Sequence, residues 1–310
     1  MKIFITGGHG FLGTALVKKL TLQGHEIVAP RSGECDLTHE QSLSKYTEKY
    51  DQIYHLAAWT QAGDFCLKHP GEQWVITQKI NTNILSWWSE HQSQSKIIFM
   101  GTSCAYAPAS ELIEKEYMNG EPIDSLYTYA MTKRMLLQGA RALQKQYGLK
   151  WFCAVPSTLY GPGYHTDGRQ MHFIFDLIRK ILRGKILGDE VILWGDGYQR
   201  RELVYIDDFI ETLINLASIV ENDLVNIGSG EDFSIREFAR KICKIVDYDE
   251  RLIKYDITKY VGAHSKILSI DKLKEMLPDY SESCTSLSEG LEIVVRWFES
   301  QPHIVFNQNG

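Results

Sequence analysis

The 310-residue sequence predicts an α/β fold built on a doubly wound parallel sheet. Two observations carry that expectation. Short apolar runs of strand length alternate, through the first half, with segments whose apolar residues recur at helical spacing. Three glycines, Gly7, Gly10 and Gly13, then stand between the first apolar run and the first helical segment. Ligands of a parallel sheet bind there, at the C-terminal ends of its strands.

The elements follow in chain order. KIFIT (2–6) reads as a short buried strand, and TALVKKLTLQG as a helix stopping at Gly24. HEIVA (25–29), DQIYHLAA (51–58), SKIIFMG (95–101) and KWFCAVP (150–156) read as further strands. Helical patterns at about 72–92 and 127–147 lie between them. Such alternation implies a sheet covered on both faces.

Within GGHGFLG, Gly7 permits the tight turn and Gly10 lets a pyrophosphate approach the backbone. Gly13 lets the helix pack closely on the strand, Phe11 and Leu12 of the same loop count among the expected cofactor contacts, and the helix N-terminus favours an anion. Opening the chain inside a βαβ unit, this loop predicts Rossmann-type dinucleotide binding. The second strand runs out through Val28-Ala29-Pro30-Arg31-Ser32 without a carboxylate for the ribose hydroxyls. Arg31, beside Ser32 and helped by His9, suits a 2′-phosphate. NADP is therefore expected, with NAD as the alternative.

Composition narrows the class. Hydrophobic residues make up 44% and charged residues 23%, as in an ordinary globular protein. The net charge of −6 disfavours nucleic acid and acidic membranes as partners. No apolar run approaches the roughly 18 residues that span a bilayer. The N-terminus breaks into glycines too early for a signal peptide, so a cytoplasmic location is expected. The six cysteines show no CxxC and no metal-ligand spacing, so free thiols and no metal are expected.

YTYAMTKR (127–134) places Tyr129 and Lys133 one helical turn apart, on one face. An ammonium near a phenol lowers its pKa from about 10, making it a usable proton donor or acceptor. The pattern gains meaning because it follows a glycine-loop domain and a strand running into Thr102.

With these residues the chain resembles the extended short-chain dehydrogenases/reductases. The matching pieces are TGGHGFLG (6–13), Asp36-Leu37, HLAA (55–58), Asn81, Thr102, YAMTK (129–133), LYGPG (159–163), GDGYQRRELVYIDD (195–208) and NIGSG (226–230), in family order. The resemblance implies Asp36 and Leu37 near the adenine, Leu56, Ala57 and Ala58 along the cofactor, and Pro156 and Leu159 near the nicotinamide. It implies Thr102 paired with Tyr129 on the reacting oxygen. It also implies a smaller α/β C-terminal domain for a sugar nucleotide. The expected division is 1–160 plus about 203–230 for the dinucleotide, and 161–202 with 231–310 for the substrate.

The residues after Thr102 discriminate within the family. Dehydratases carry an Asp-Glu pair there; this chain has Ser103-Cys104. The cysteine, with His172 after the LYGP segment, resembles members that epimerise C3 and C5 of a GDP-linked 4-keto-6-deoxy sugar and then reduce C4. The chemistry fits independently. Protons alpha to a ketone are acidic, and moving one between faces needs an acid and a base. A thiol (pKa about 8.5) and an imidazole (about 6.5) both work near neutrality. Thr102 and Tyr129 can hold the enolate oxygen.

For the nucleoside-diphosphate sugar, Arg201 can fork onto a phosphate and Trp194 can lie against base or sugar. Lys180, two turns beyond His172, can border the same cleft. Ser103 is a candidate substrate contact, and Lys266 resembles the family's late lysine. Three positions depart from the pattern: Thr158 replaces an asparagine, Ser265 an arginine beside Lys266, and Val261-Gly262 an Asp-Gly. They leave the base and the sugar open, a deoxyheptose included. The alternatives are a 4-keto reductase without epimerisation, a 4-epimerase that retains NAD, and a non-catalytic dinucleotide sensor. The resemblance also implies a homodimer through the 72–92 and 127–147 helices, with Trp87 and Trp88 either at that interface or in the core.

Overall fold

A computed structural model describes residues 1–108, 111–167, 169–259 and 265–301. The strands are β1 (Lys2–Thr6), β2 (Glu26–Val28), β3 (Gln52–His55), β4 (Lys96–Met100), β5 (Trp151–Pro156), β6 (Thr158–Tyr160), β7 (Ile192–Trp194), β8 (Arg200–Tyr205), β9 (Asp223–Ile227), β10 (Asp232–Ser234) and β11 (Lys254–Asp256). Six of them form one sheet in the order β2-β1-β3-β4-β5-β9, and every pairing in it is parallel. The winding reverses between β1 and β3. Such a switch point opens the crevice where α/β sheets bind ligands.

Helices cover both faces. Pro70–His91 and Tyr127–Tyr147 lie on one face, over a core that includes Ile84, Leu136, Leu137 and Phe99. Phe11–Leu22 and Ile206–Ile219 lie on the other, over Leu16, Leu20, Phe209 and Leu213. Trp87 and Trp88 belong to the first core, 4% and 0% exposed. Trp87 packs on Phe4 and Tyr50, and Trp88 donates its indole N–H to the Ser95 carbonyl. Burying rings of that size is worth ~1.5–3 kcal/mol each, and neither is left for a partner chain.

A third core joins the helices Phe173–Leu187, Ile235–Val246 and Leu287–Glu299 with β7 and β8. β8 pairs parallel with β6 and antiparallel with β10, and β7 pairs with β11. Ile270, Leu273 and Tyr280, within the stretch expected to serve the substrate lobe, pack instead into the core under the Phe11–Leu22 helix. Apolar side chains of the short Asp271–Met276 helix find their burial there.

The first helix begins at Phe11, earlier than the apolar periodicity suggests, so Gly13 sits in its first turn. A Cβ at Gly13 would run into the Gly7 carbonyl oxygen and the Gly8 backbone. Gly7 has φ +69°, and its α-carbon faces the Ala57 amide so closely that a Cβ would come within 2.8 Å. The two glycines therefore let β1, the helix and the end of β3 meet. Among the described residues no helix is long and apolar enough to cross a membrane, and no cluster of three or more His, Cys, Asp or Glu can hold a metal ion.

Candidate active site

The glycine turn opens on the crevice. Gly10 is the N-cap of the Phe11–Leu22 helix, with no capping side chain and no acidic residue in the first turn. Uncapped amides in a positive dipole field suit a pyrophosphate, so the residues present fit a dinucleotide. His9 donates from Nε2 to the Ala29 carbonyl at 3.0 Å, which fixes the loop to the end of β2. Arg31 and Ser32 follow, both exposed. The Arg31 amide donates to the Glu34 carboxylate at 2.9 Å, placing an acidic group that the strand-end reading did not weigh. The Asp36 carboxylate accepts from the amide and hydroxyl of Thr38, and Asn83 donates to the Leu37 carbonyl.

A directed chain of hydrogen bonds crosses beneath the crevice. The Ala57 amide donates to Thr6 Oγ1 at 3.3 Å, and that hydroxyl donates to His55 Nδ1 at 2.8 Å. His55 Nε2 donates to Asn81 Oδ1 at 3.3 Å, and Asn81 Nδ2 donates to the Thr132 carbonyl at 3.2 Å. The amide oxygen of Asn81 can only accept, which fixes the neutral histidine tautomer. Desolvation, then the Lys133 charge, push His55 down to about 4, so it stays neutral. Leu56 lies half-buried beside this chain, and Ala58 follows it.

Tyr129 and Lys133 project from the first turns of the Tyr127–Tyr147 helix. The Lys133 ammonium is 6.0 Å from the Tyr129 ring centroid. Burial pushes Lys133 down to about 8, partly offset by Cys153. Tyr129 departs from expectation. Burial and then the Cys104 charge raise its pKa, with only a hydrogen bond to Thr102 acting the other way. Lys133 is not among the groups that offset this burial, and Tyr129 stands as a protonated donor.

Thr102 ends the approach from β4. Its amide donates to the Tyr117 hydroxyl, and its Oγ1 accepts the Cys104 amide at 3.2 Å, capping the short Ser103–Ala105 turn. Arg134, next to Lys133, grips that turn from below, donating to the carbonyls of Ala105, Asn119 and Gly120 at 2.5, 2.9 and 2.8 Å. Cys104 is thus held against the tyrosine helix, half-buried.

Two further segments close over it. Lys266 donates to Cys104 Sγ at 2.9 Å. Burial raises the Cys104 pKa, but Lys266, Thr102 and Arg201 together outweigh it and the net shift is downward. His172 caps the Phe173–Leu187 helix through Nδ1, which accepts the Phe173 amide at 3.2 Å. Desolvation, then Lys266 and Arg201, push it down to about 4. The residue is nevertheless exposed, so the two cations are the part of that effect a bound anion would change. The charges of Lys266 and Arg201 act on both Cys104 and His172.

Other candidates fall differently. Lys180 pairs with Asp176 one turn earlier, 2.9 Å away. Trp194 is 52% exposed at the end of β7, with the Lys259 ammonium 6.0 Å over its ring. Thr158 lies half-buried on β6; its amide donates to Ser157 Oγ. Ser103 is half-buried in the cysteine turn, Pro156 ends β5, and Leu159 is the middle residue of β6. Val261-Gly262 lies outside the described residues.

Sequence reasoning passed over Glu202 and Asn226 as site residues, though Asn226 sat in a matched motif. Glu202, 2% exposed, accepts the amides of Gly230 and Leu268. Asn226 accepts the Tyr106 hydroxyl at 2.6 Å and donates to the carbonyls of Leu112 and Ser269. A carboxylate inside the apolar run ELVY was the available signal, since buried charges need partners.

A glycine turn on a parallel sheet, joined to a threonine–tyrosine–lysine set, defines a dinucleotide-dependent enzyme of the Rossmann class. Residues 3–228 match the family described as NAD dependent epimerase/dehydratase, and the chain belongs to that family of enzymes. It is 28% identical over 309 residues to GDP-L-fucose synthase 1 of Arabidopsis thaliana, covering 96% of this chain and 93% of that protein. It is 28% identical over 314 residues to the GDP-L-fucose synthase of Escherichia coli K12, covering 96% of each. Among solved structures, a GDP-L-fucose synthetase from Naegleria fowleri superimposes with a TM-score of 0.86 at 21% identity, covering 97% and 94% of the two chains. A GDP-6-OMe-4-keto-L-xylo-heptose reductase from C. jejuni gives 0.84 at 20% identity, covering 97% and 98%. These two establish a shared fold.

Proposed function

We propose that the protein is an NADPH-dependent 3,5-epimerase/4-reductase of a GDP-linked 4-keto-6-deoxy sugar or a related deoxyheptose. The observation that supports it most is the contact of Lys266 with Cys104, whose amide donates to Thr102, together with the charges of Lys266 and Arg201 acting on both Cys104 and His172. The names of the relatives support guanine as the base. Arg31 supports the 2′-phosphate.

In this reading Arg201 binds the pyrophosphate. Thr102 and Tyr129 hold the C4 oxygen, so charge that leaves an α-carbon collects where two donors wait. Cys104 and His172 exchange protons with C3 and C5. The dinucleotide, when bound, supplies hydride to C4. Tyr129, protonated, then gives its proton to the C4 oxygen. Incubation with a GDP-4-keto-6-deoxy sugar in D₂O is the test. Deuterium at C3 or C5 supports the reading, and its absence at both removes the epimerase half.

The 4-keto reductase without epimerisation is a second reading. It is favoured by the bond that spends His172 Nδ1 on the Phe173 amide. Stoichiometric NADPH consumption without deuterium uptake identifies it. A homodimer through the outer faces of the Pro70–His91 and Tyr127–Tyr147 helices belongs to the same proposal. Trp74 and Val75 are exposed on the first of them, and the mass in solution decides.

A further inference from the structure

Lys266 arrives at Cys104 from 162 residues away, and its place is built rather than incidental. Ser265 donates to Asp232 at 3.2 Å, and Asp232 is paired with Arg200. Two residues beyond Lys266, the Leu268 amide donates to the buried Glu202 at 3.0 Å. Ser269 is tied to the Leu112 carbonyl by its amide and to Asn226 by its carbonyl. Asn226 also accepts from Tyr106, two residues past Cys104. The cysteine turn and the lysine segment therefore share one anchor, and the anchors set the N···S distance at 2.9 Å.

We propose that Lys266 is a positioning residue that holds Cys104 as a thiolate, ready for the proton transfer assigned to it above. The inference deepens the proposed function and rests on its assignment of Cys104 to proton transfer. In the step, sulfur takes the proton, the C–H electron pair passes into the enolate, and charge moves from sulfur to the C4 oxygen between Thr102 and Tyr129. An ammonium in contact with sulfur favours the charged form.

The groups around the thiol agree with this. Arg201 adds a second positive charge from β8, and Thr102 adds a hydrogen bond. His172, pushed down to about 4, stays neutral, so the positive charge at the thiol comes from Lys266 and Arg201. Tyr129 and Cys66 also face the sulfur, and both are shifted toward their protonated, uncharged forms. The other five cysteines provide an internal contrast. Burial raises Cys35, Cys66 and Cys284, pushes Cys243 up to about 11 and pushes Cys153 up to about 12. Cys104 alone among the six is shifted down.

Alkylation by iodoacetamide, followed peptide by peptide between pH 5 and 10 on the ligand-free protein, tests the pair directly. Only the thiolate attacks, so the midpoint of the rate profile reads its population. Cys104 should react first of the six, with a midpoint below the ordinary 8.5. Lys266→Met should raise that midpoint by about one unit or more and slow Cys104 alkylation about tenfold at pH 7. Lys266→Arg should restore it. An unmoved midpoint in Lys266→Met overturns the proposal. Thiolate absorbance near 240 nm, titrated in the unmodified protein against Cys104→Ser, gives the same midpoint if Lys266→Met fails to fold; a midpoint at or above 8.5 then overturns it. The two readings fail separately. A lowered midpoint without α-deuterium exchange sinks the epimerase, and exchange with an ordinary midpoint sinks the thiolate pair.

Discussion

Thr6 Oγ1 lies 2.8 Å from His55 Nδ1 and, through that neutral imidazole and Asn81, links the strand before the glycine turn to the Tyr127–Tyr147 helix. The same histidine sets an acid limit on the fold. Its folded pKa of about 4 lies below the ordinary 6.5, so the unfolded chain binds more protons between those values. Stability is therefore lost as pH falls from 6.5 toward 4, by on the order of 3 kcal/mol for this group. His55→Gln should flatten that part of the curve. Urea unfolding at a series of pH values measures it.

Lys133 makes the opposite contribution. Its folded pKa of about 8 is below the ordinary 10.5, so holding the charge at pH 7 costs stability that returns as pH rises through that window. Lys133→Met should be more stable at pH 7 by on the order of 2–3 kcal/mol. It should also lose roughly 100-fold or more in NADPH-dependent reduction. A melting curve and a steady-state assay together show whether the lysine is kept for chemistry at the expense of the fold.

GDP binding should be linked to protons through His172. The pyrophosphate charge at Arg201 offsets a cation that depresses the imidazole, so its pKa rises in the complex and binding takes up a proton. Affinity should then weaken as pH rises through the bound-state pKa, and His172→Asn should remove the dependence. Calorimetric titration in buffers of different ionisation heat reads the proton uptake directly. Equal apparent heats in all buffers would count against it.

Arg31 should set the choice of cofactor. Arg31→Ala should raise the KM for NADPH about tenfold or more, through loss of a charge-assisted phosphate contact, and leave that for NADH nearly unchanged. If NADPH is unaffected, the neighbouring Glu34 carboxylate points to a ribose hydroxyl and to NAD instead.

Glu202→Gln keeps the side chain's size and weakens its hold on the Gly230 and Leu268 amides. A loss of roughly 1–3 kcal/mol is expected, with slower Cys104 alkylation as Lys266 drifts. Denaturant unfolding and the alkylation profile should change together.

Local patterns were legible in the sequence. The glycine turn, the alternating elements and the 127–147 helix follow from backbone demands and from spacing within single segments. The contacts that tune the site come from pairs far apart in the chain. Lys266 read only as a counterpart of the family's late lysine among the substrate contacts, because nothing near residue 266 announces a sulfur partner. Lys180 read as a cleft residue, yet Asp176 on its own helix captures it. Tyr129 was expected to be acidified by Lys133; the balance turned on burial, which spacing does not encode.

Asn226 also bears on the order in which the molecule acquires its abilities. During synthesis the glycine turn and the tyrosine helix emerge long before residues 226 and 266. A nascent chain that has reached residue 160 contains the glycine turn and the tyrosine segment, with a cysteine that still lacks its Lys266 contact. The late segments arm that cysteine last. They also form the part in which a new sugar could be accommodated during evolution without rebuilding the hydride-transfer half.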